Sequence, residues 1–296
     1  MNKLISILTP TYNRADLLIR LFKSLLNQTS FDFEWMIVDD GSTDETKNLV
    51  ENFKNEKFNV KYIYKENGGK HTALNIGINE INSKLTFIVD SDDWLDSNAI
   101  KTIKQDYEKY KNNSKLAGFS YLRMFPDGKI NVETGSKENR IDSYNIVRVL
   151  ENRIGDMAEV YYTEILKQFP FPEFKDERFL GEDVVWIEIG KKYDLVFINQ
   201  PIYVSDYLAD GLTQNRRKNN IKSSKGCYYR SQIMLSIKLK FKQRIKTILQ
   251  LIVYGKFNSL SYKEIKKDCK YKGLLTLMYP LGLYLYKKWR TEYELA

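Results

Sequence analysis

The sequence holds a single histidine, His71, and two cysteines, Cys227 and Cys269, in 296 residues. The cysteines lack the spacing of metal ligands, and in a reducing compartment they are not expected to pair. No run of about 18 apolar residues occurs, so no membrane-spanning helix is expected. The opening run Leu4-Ile5-Ser6-Ile7-Leu8 is too short for a secretory signal, and polar Asn13-Arg14 follow soon after. These absences predict a cytoplasmic protein. No internal repeat or low-complexity tract is present. His71, standing alone, reads as a local hydrogen-bonding residue before a catalytic one.

Hydrophobic residues make up 43% of the chain and charged residues 29%. That balance suits a soluble chain with a sizeable core in one or two domains. The net charge of +9 is unevenly spread: residues 211–296 carry 20 Lys and Arg against 4 Asp and Glu, a balance of +16, which leaves the first 210 residues at −7. An acidic body bearing a basic C-terminal third predicts a polyanionic partner, either a phospholipid surface or nucleic acid.

The first half alternates short apolar runs with helical patterns. Leu4–Leu8, Trp35–Val38, Val60–Tyr64 and Leu85–Val89 read as strands, and Asp16–Leu26, Thr43–Phe53 and His71–Ile81 as the helices between them. This order predicts a parallel sheet with helices on both faces. In such sheets ligands bind outside the carboxyl ends of the strands. Pro10, Asp39-Asp40 and Asp90-Ser91-Asp92 all fall at those ends, which argues for one shared site. Farther on, Ile100–Tyr110 reads as a helix, and Leu116–Phe125 and Lys129–Glu133 flank a hairpin turn at Pro126-Asp127-Gly128. Met157–Tyr162 and Leu195–Ile198 read as strands. Beyond about residue 210 come helical segments near 228–254, 261–269 and 271–290.

The run Phe87-Ile88-Val89-Asp90-Ser91-Asp92-Asp93-Trp94 delivers three carboxylates within four positions. Such a cluster raises its own electrostatic cost, and a divalent cation removes it. Oxygen ligands suit Mg²⁺ or Mn²⁺, which is most useful where a diphosphate must be held. The same acids would also serve as a helix-capping turn. Asp39-Asp40-Gly41-Ser42-Thr43-Asp44 follows a buried strand: Asp40 offers an acceptor to a base or ribose, and Ser42 or Thr43 a helix cap. In Asn67-Gly68-Gly69-Lys70 the glycines let the backbone approach a ligand, and Lys70 suits a phosphate. Tyr12 could stack on a base. Glu182-Asp183 stand at a helix start, where acids are either dipole partners or, for Asp183, a general base. In the C-terminal third, Lys and Arg interleave with Leu and Ile, and Lys287-Lys288-Trp289-Arg290 close an apolar helix. That composition suits a membrane interface, or equally helices packed on the body with a solvated basic face.

Taken in order, Thr9-Pro10-Thr11-Tyr12-Asn13-Arg14, Asp39-Asp40-Gly41-Ser42-Thr43-Asp44, Asn67-Gly68-Gly69, Asp90-Ser91-Asp92-Asp93 and Glu182-Asp183 resemble the inverting family-two glycosyltransferases of GT-A fold, in particular bacterial enzymes building capsular, exopolysaccharide or lipopolysaccharide glycans. The resemblance spans roughly residues 3–215, and Tyr207–Thr213 looks like the segment that follows the catalytic domain in such enzymes. It implies a Rossmann-like, mostly parallel sheet flanked by helices over 1–215, with a C-terminal helical extension over 216–296. It implies that Pro10, Tyr12 and Asp40 hold the base, with Asp39 supporting the pocket. Asn67 and the glycine turn match the nucleoside loop. Asp90 and Asp92 match the Asp-x-Asp motif, Asp92 as the direct metal ligand and Asp90 nearer the ribose. Asp183 matches the catalytic base. The implied cofactor is Mn²⁺ or Mg²⁺, and the implied partners are a UDP-type nucleotide sugar, a glycan or polyprenyl-linked acceptor, and the inner face of the cell membrane, without nucleic acid.

Two other readings fit part of the pattern. A nucleotidyltransferase shares the sheet and acids, but usually carries a glycine-rich loop after its first strand, where this chain has Pro10-Thr11-Tyr12-Asn13-Arg14. A nucleic-acid-binding module would use the basic tail with Tyr228, Tyr229 and Tyr254, against which the acidic body argues.

Overall fold

Apolar runs with no polar alternation need both faces covered, and the first two strands have that environment: Ile5–Thr11 (β1) and Phe33–Asp39 (β2) are buried at every residue. In the computed structural model the described residues are 3–132, 139–153, 155–206 and 216–293. Ala15–Leu26 (α1) joins β1 to β2, and Thr46–Glu51 (α2) leads to Val60–Tyr64 (β3). Lys70–Glu80 (α3) then leads to Leu85–Ile88 (β4). These four strands pair in parallel in the order β3-β2-β1-β4.

The second half continues the same sheet in mixed sense. After Trp94–Leu95 (β5) and Ala99–Tyr110 (α4) come Leu116–Met124 (β6), Arg140–Asp142 (β7) and a π-helical turn at Asn145–Leu150. Met157–Tyr162 (β8), Thr163–Leu166 (α5), Asp183–Ile189 (α6) and Asp194–Val204 (β9) complete the body. β8 lies antiparallel between β4 and β6, β6 pairs with β9 in parallel, and β5 and β7 both pair with β9. One face of the sheet packs Ile5, Ile7 and Phe87 against Leu18 and Leu21 of α1 and Ile100 of α4. The other packs Leu8, Met36 and Val38 with Leu74 of α3 and Trp186 of α6.

Five helices follow: Arg216–Lys222 (α7), Ser224–Leu235 (α8), Phe241–Phe257 (α9), Tyr262–Asp268 (α10) and Lys272–Glu292 (α11). They share a core of Leu235, Ile248, Leu251, Ile252, Ile265 and Leu275. Tyr229, Ile233 and Met234 of α8 pack against the body. Tyr207–Thr213, and with it the boundary expected at 215, lies outside the described residues.

Several boundaries differ from expectation. β1 does not stop at Pro10. Leu8 accepts from Val89 on the β4 side, and alternation aims Pro10 the same way, past the last paired residue of β4, so its missing N–H abandons no ladder bond. α2 starts at Thr46 rather than Thr43, because Asp44 takes the Thr46 N–H at 3.1 Å while Ser42 and Thr43 bond to Asn13. Neither Ser42 nor Thr43 is the cap. The helix expected over 228–254 is two helices: Ser236 turns its hydroxyl onto the Ile233 carbonyl at 2.6 Å, and Gln243 accepts the Lys240 N–H at 2.8 Å to start α9. The Pro126-Asp127-Gly128 turn forms, but its return arm is a single bridge from Ile130 to Met124 among the described residues; Glu133 lies outside them.

α3 sits close on the sheet because Gly77 has no side chain: a Cβ there would lie 2.2 Å from Leu8 Cδ1. Gly77→Val is expected to cost about 1–3 kcal/mol by overpacking, read as a lowered urea midpoint. In Leu8→Ala/Gly77→Val the combined loss should be smaller than the sum of the two single losses; strict additivity would mean that the two positions do not press on each other.

Candidate active site

The carboxyl end of β4 carries Asp90, Asp92 and Asp93, and each has its own cation. Lys70, the first residue of α3, bonds Asp90. Arg14, just before α1, lies 3.4 Å from Asp92. Arg123 of β6 lies 3.4 Å from Asp93 and 4.0 Å from Asp90. Tyr203 of β9 donates to Asp93 at 2.7 Å and accepts the Asp90 N–H at 3.0 Å, with Arg123 stacked 4.0 Å over its ring. Arg20 covers the Trp94 ring and donates to the Asp92 carbonyl.

Asp39 and Asp40, at the end of β2, are almost wholly buried. Asp39 accepts from the Ser42 N–H at 2.7 Å and the Tyr62 hydroxyl at 2.6 Å. Asp40 accepts from Lys65 at 2.6 Å, from the Gly68 and Gly69 N–H groups at 2.9 and 2.7 Å, and from the Asn67 amide at 3.2 Å. Its carboxylate therefore builds the glycine turn. Gly69 needs to be glycine: its φ is +98°, and a Cβ would lie 2.1 Å from the Arg178 carbonyl oxygen. Pro10 pairs with Val38 on β1, and Tyr12, just beyond that strand, is 46% exposed. His71 is buried beside the turn, and its Nδ1 has no hydrogen-bond partner among the described residues.

The segment before α6 closes the same cleft. Glu182 lies 2.6 Å from Lys70, so one ammonium joins it to Asp90. Asp183 is gripped from α8: Arg230 reaches its two oxygens through Nε at 2.9 and 2.8 Å. Lys70 thus ties the end of β4, with Asp90 and Asp92, to the start of α6, where Asp183 follows Glu182, while the Asp40 carboxylate builds the turn that precedes Lys70.

These contacts fix the charge states. Burial alone would lower the Lys70 pKa, but the carboxylates of Asp90 and Glu182 override it and hold the ammonium charged. Burial opposes ionisation of Asp90, yet Lys70 and Arg123 bring its pKa below the usual value. Asp93 goes the other way: burial first, then the Asp90 charge, push it up to about 7 against the pull of Arg123. Burial likewise raises Glu159 to about 7 despite Arg148.

Mg²⁺ and Mn²⁺ are commonly held by one or two carboxylates plus substrate phosphates. Asp92 fits that chemistry, being about a third exposed with a single ion pair at 3.4 Å. No cluster of three or more metal-ligating side chains forms among the described residues. Lys65, Arg14, Arg20, Arg123, Tyr203, Glu159 and Arg230 were not among the residues expected from sequence. Arg14 stood inside a motif, and Lys65 at the head of the segment that carries the glycine turn; Arg230 meets Asp183 across 47 positions, with no local pattern to announce it.

The fold is the GT-A fold of glycosyltransferases. S. aureus TarS 1–349, in complex with UDP-GlcNAc, superposes with a TM-score of 0.61 at 18% identity, covering 98% of this chain and 91% of that one. The model of Glycosyl transferase family 2 matches residues 6–129. Glycosyltransferase GlyG of Streptococcus pneumoniae serotype 4 is 28% identical over 219 residues, 69% of this chain and 71% of GlyG. The GalNAc(5)-diNAcBac-PP-undecaprenol beta-1,3-glucosyltransferase of Campylobacter jejuni is 23% identical over 279 residues, 91% of this chain and 88% of that protein. In two longer relatives the chain matches 28% and 18% of the length. The chain is therefore read as a transferase, ahead of the nucleotidyltransferase and nucleic-acid alternatives.

The raised Asp93 pKa has a consequence for stability. Between about pH 4 and 7 the folded chain keeps a proton on Asp93 that the unfolded chain releases, so this group lowers stability as pH rises through that window. Asp93→Asn should therefore gain on the parent protein from pH 4 to 7 and level off above, measured by urea unfolding. A constant difference across the range would mean that Asp93 titrates as an ordinary carboxylate.

Proposed function

We propose that this enzyme is a metal-dependent, inverting glycosyltransferase that moves a sugar from a UDP-linked donor to a hydroxyl of a glycan or polyprenyl-linked glycan in cell-surface polysaccharide synthesis. The observation that carries this reading is the Lys70 bridge, which draws Asp90 at the end of β4 and Glu182 beside Asp183 to one point. Donor-handling and acceptor-activating groups are thereby neighbours.

In this reading exposed Tyr12 stacks on the base and Pro10 lines its pocket. Asp40, Asn67 and the two glycines shape the nucleoside loop, with Asp39 bracing it from behind. Lys70 stands at the start of α3, where a helix N-terminus and an ammonium both favour phosphate. Asp92, with Asp90 behind it, would hold Mn²⁺ or Mg²⁺, which supplies charge neutralisation for the diphosphate. Asp183 accepts the proton of the acceptor hydroxyl. The acceptor oxygen forms its bond to the anomeric carbon as the bond to the diphosphate breaks, and one displacement inverts the configuration. Arg230 keeps the Asp183 carboxylate in a single orientation, which general-base catalysis requires. The region 1–215 acts as the catalytic domain and 216–296 as its helical extension.

We also propose that the extension meets the inner surface of the cell membrane. No helix among the described residues is long and apolar enough to cross a membrane. On α11, Leu277, Leu281 and Tyr284 are spaced along one face and exposed by 69%, 46% and 61%. Lys272 precedes that stripe and Lys287 and Lys288 follow it, as at an anionic lipid interface. Trp289 is not the interfacial anchor expected from sequence: it turns inward, 6.2 Å from the Tyr254 ring.

The donor reading is tested by a panel of nucleotide sugars with Mn²⁺ or Mg²⁺, reading nucleoside diphosphate release. Asp183→Asn should lower transfer by roughly 10²–10⁴-fold while UDP affinity holds within about twofold; near-parental turnover would remove Asp183 from the proton transfer. Leu277→Glu/Leu281→Glu should abolish co-sedimentation with anionic vesicles, and undiminished sedimentation would place the lipid contact elsewhere.

A further inference from the structure

The cleft that begins at Asp183 continues between the body and the C-terminal helices as a cavity of about 990 Å³, at the upper end of the range for ligand clefts. Carboxylates and cations both line it. Asp183 is matched by Arg230, and Arg123 by Asp93. Arg148 turns its guanidinium to the carbonyls of Arg153, at 3.0 Å, and Gly155. Three lining cations remain: Arg217 of α7 and Lys242 and Lys246 of α9. Among the described residues none of the three has a carboxylate within ion-pair distance.

Their placement is electrostatically unfavourable without a partner. Lys242 and Lys246 stand one helical turn apart, where like charges repel. They occupy the first two turns of α9, where a helix dipole opposes positive charge, and no acid occupies that first turn. Arg217 is held 4.8 Å over the ring of Trp289, which lines the same cavity. Three cations on the wall of a cavity that begins at the proposed base suit a multiply charged anion. A sugar carboxylate brings one charge, whereas a diphosphate, or two neighbouring phosphodiesters of a polymer, brings two.

We propose that the acceptor is a phosphate-bearing glycan, whose phosphate is taken by Lys242, Lys246 and Arg217 while its hydroxyl lies at Asp183. This rests on the reading of Asp183 as the base on the acceptor side. The phosphate has two sources, a lipid diphosphate at the reducing end or a polyol-phosphate polymer, with the same chemistry at these side chains.

The test is calorimetric titration of the full chain, saturated with UDP and Mn²⁺ so that the donor side is filled. The probes are geranyl diphosphate and a glycerol-phosphate trimer, with geraniol and methyl glucuronide as controls. A phosphate probe should bind, its Kd should rise about tenfold in Lys242→Ala/Lys246→Ala, and it should not change in Lys263→Ala/Lys267→Ala, which removes the same charge from α10 outside the cavity. All four lysines are exposed, so folding is not at stake. Whichever phosphate probe binds more tightly identifies the source. The proposal is overturned if both double variants lose affinity equally, if methyl glucuronide binds as tightly, or if neither phosphate probe binds below millimolar concentration. Failure of UDP itself to bind would count against the donor reading, and the titration of the unloaded chain would still decide this one.

Discussion

Asp90, Asp92 and Asp93 fall within four positions at the end of β4, and holding them there is the constraint on which the site depends. Two unit charges 4 Å apart at a protein surface interact by about 4 kcal/mol, so such a cluster cannot stay bare. The protein answers with Lys70, Arg14 and Arg123, one cation for each acid. Each comes from a different element: the start of α3, the loop before α1, and β6. Neutralising one strand end therefore draws together three separate elements. Where pairing is incomplete the proton makes up the balance, as in the raised pKa of buried Asp93. For a diphosphate the same cations form a counter-charge already in position, which is the condition for electrostatic catalysis without reorganisation.

The parallel half of the fold was legible because each of its strands is a short, mostly apolar run set between helical patterns. Val60–Tyr64 in that half, and Met157–Tyr162 in the antiparallel part, have the bounds that their patterns suggest. Boundaries drifted where a residue's meaning depends on its neighbour strand: Pro10 ends a strand only if its missing N–H would have been used. The long basic helix was divided by Ser236 and Gln243, whose capping bonds periodicity does not register. At the site, the acids were legible by type and position, but what they touch was not. Asp40 looked like a ligand acceptor, whereas its oxygens hold the backbone N–H groups of Gly68 and Gly69. An acid can serve a nucleotide by building the loop that faces it.

The basic C-terminal third illustrates the same limit. As composition it suggested one lipid-facing surface. Folded, it divides: Leu275 and Gly282 turn α11 toward α9, Leu277, Leu281 and Tyr284 face outward, and Lys242 and Lys246 of α9 line the cavity. Close packing of α11 on α9 depends on Gly282, where a Cβ would meet Ile252 Cγ2 at 2.5 Å. The basic third is therefore divided between an outward apolar face flanked by lysines and the solvent-open wall of a cavity, and only the fold separates the two.

With Asp183 as the proposed base, Arg230 would make the helical extension part of the catalytic geometry. It stands on α8, whose neighbours Tyr229 and Ile233 pack on the body, and it grips Asp183 through both carboxylate oxygens. A bidentate guanidinium fixes a carboxylate in rotation as well as position, which a lysine would not do. Its own pKa is raised chiefly by the Asp183 charge, so the guanidinium stays charged. The orientation of the proposed base is consequently set by a residue outside the matched family region of 6–129. Variation in the extension can then alter how an acceptor hydroxyl meets that base while the donor half of the cleft stays as it is.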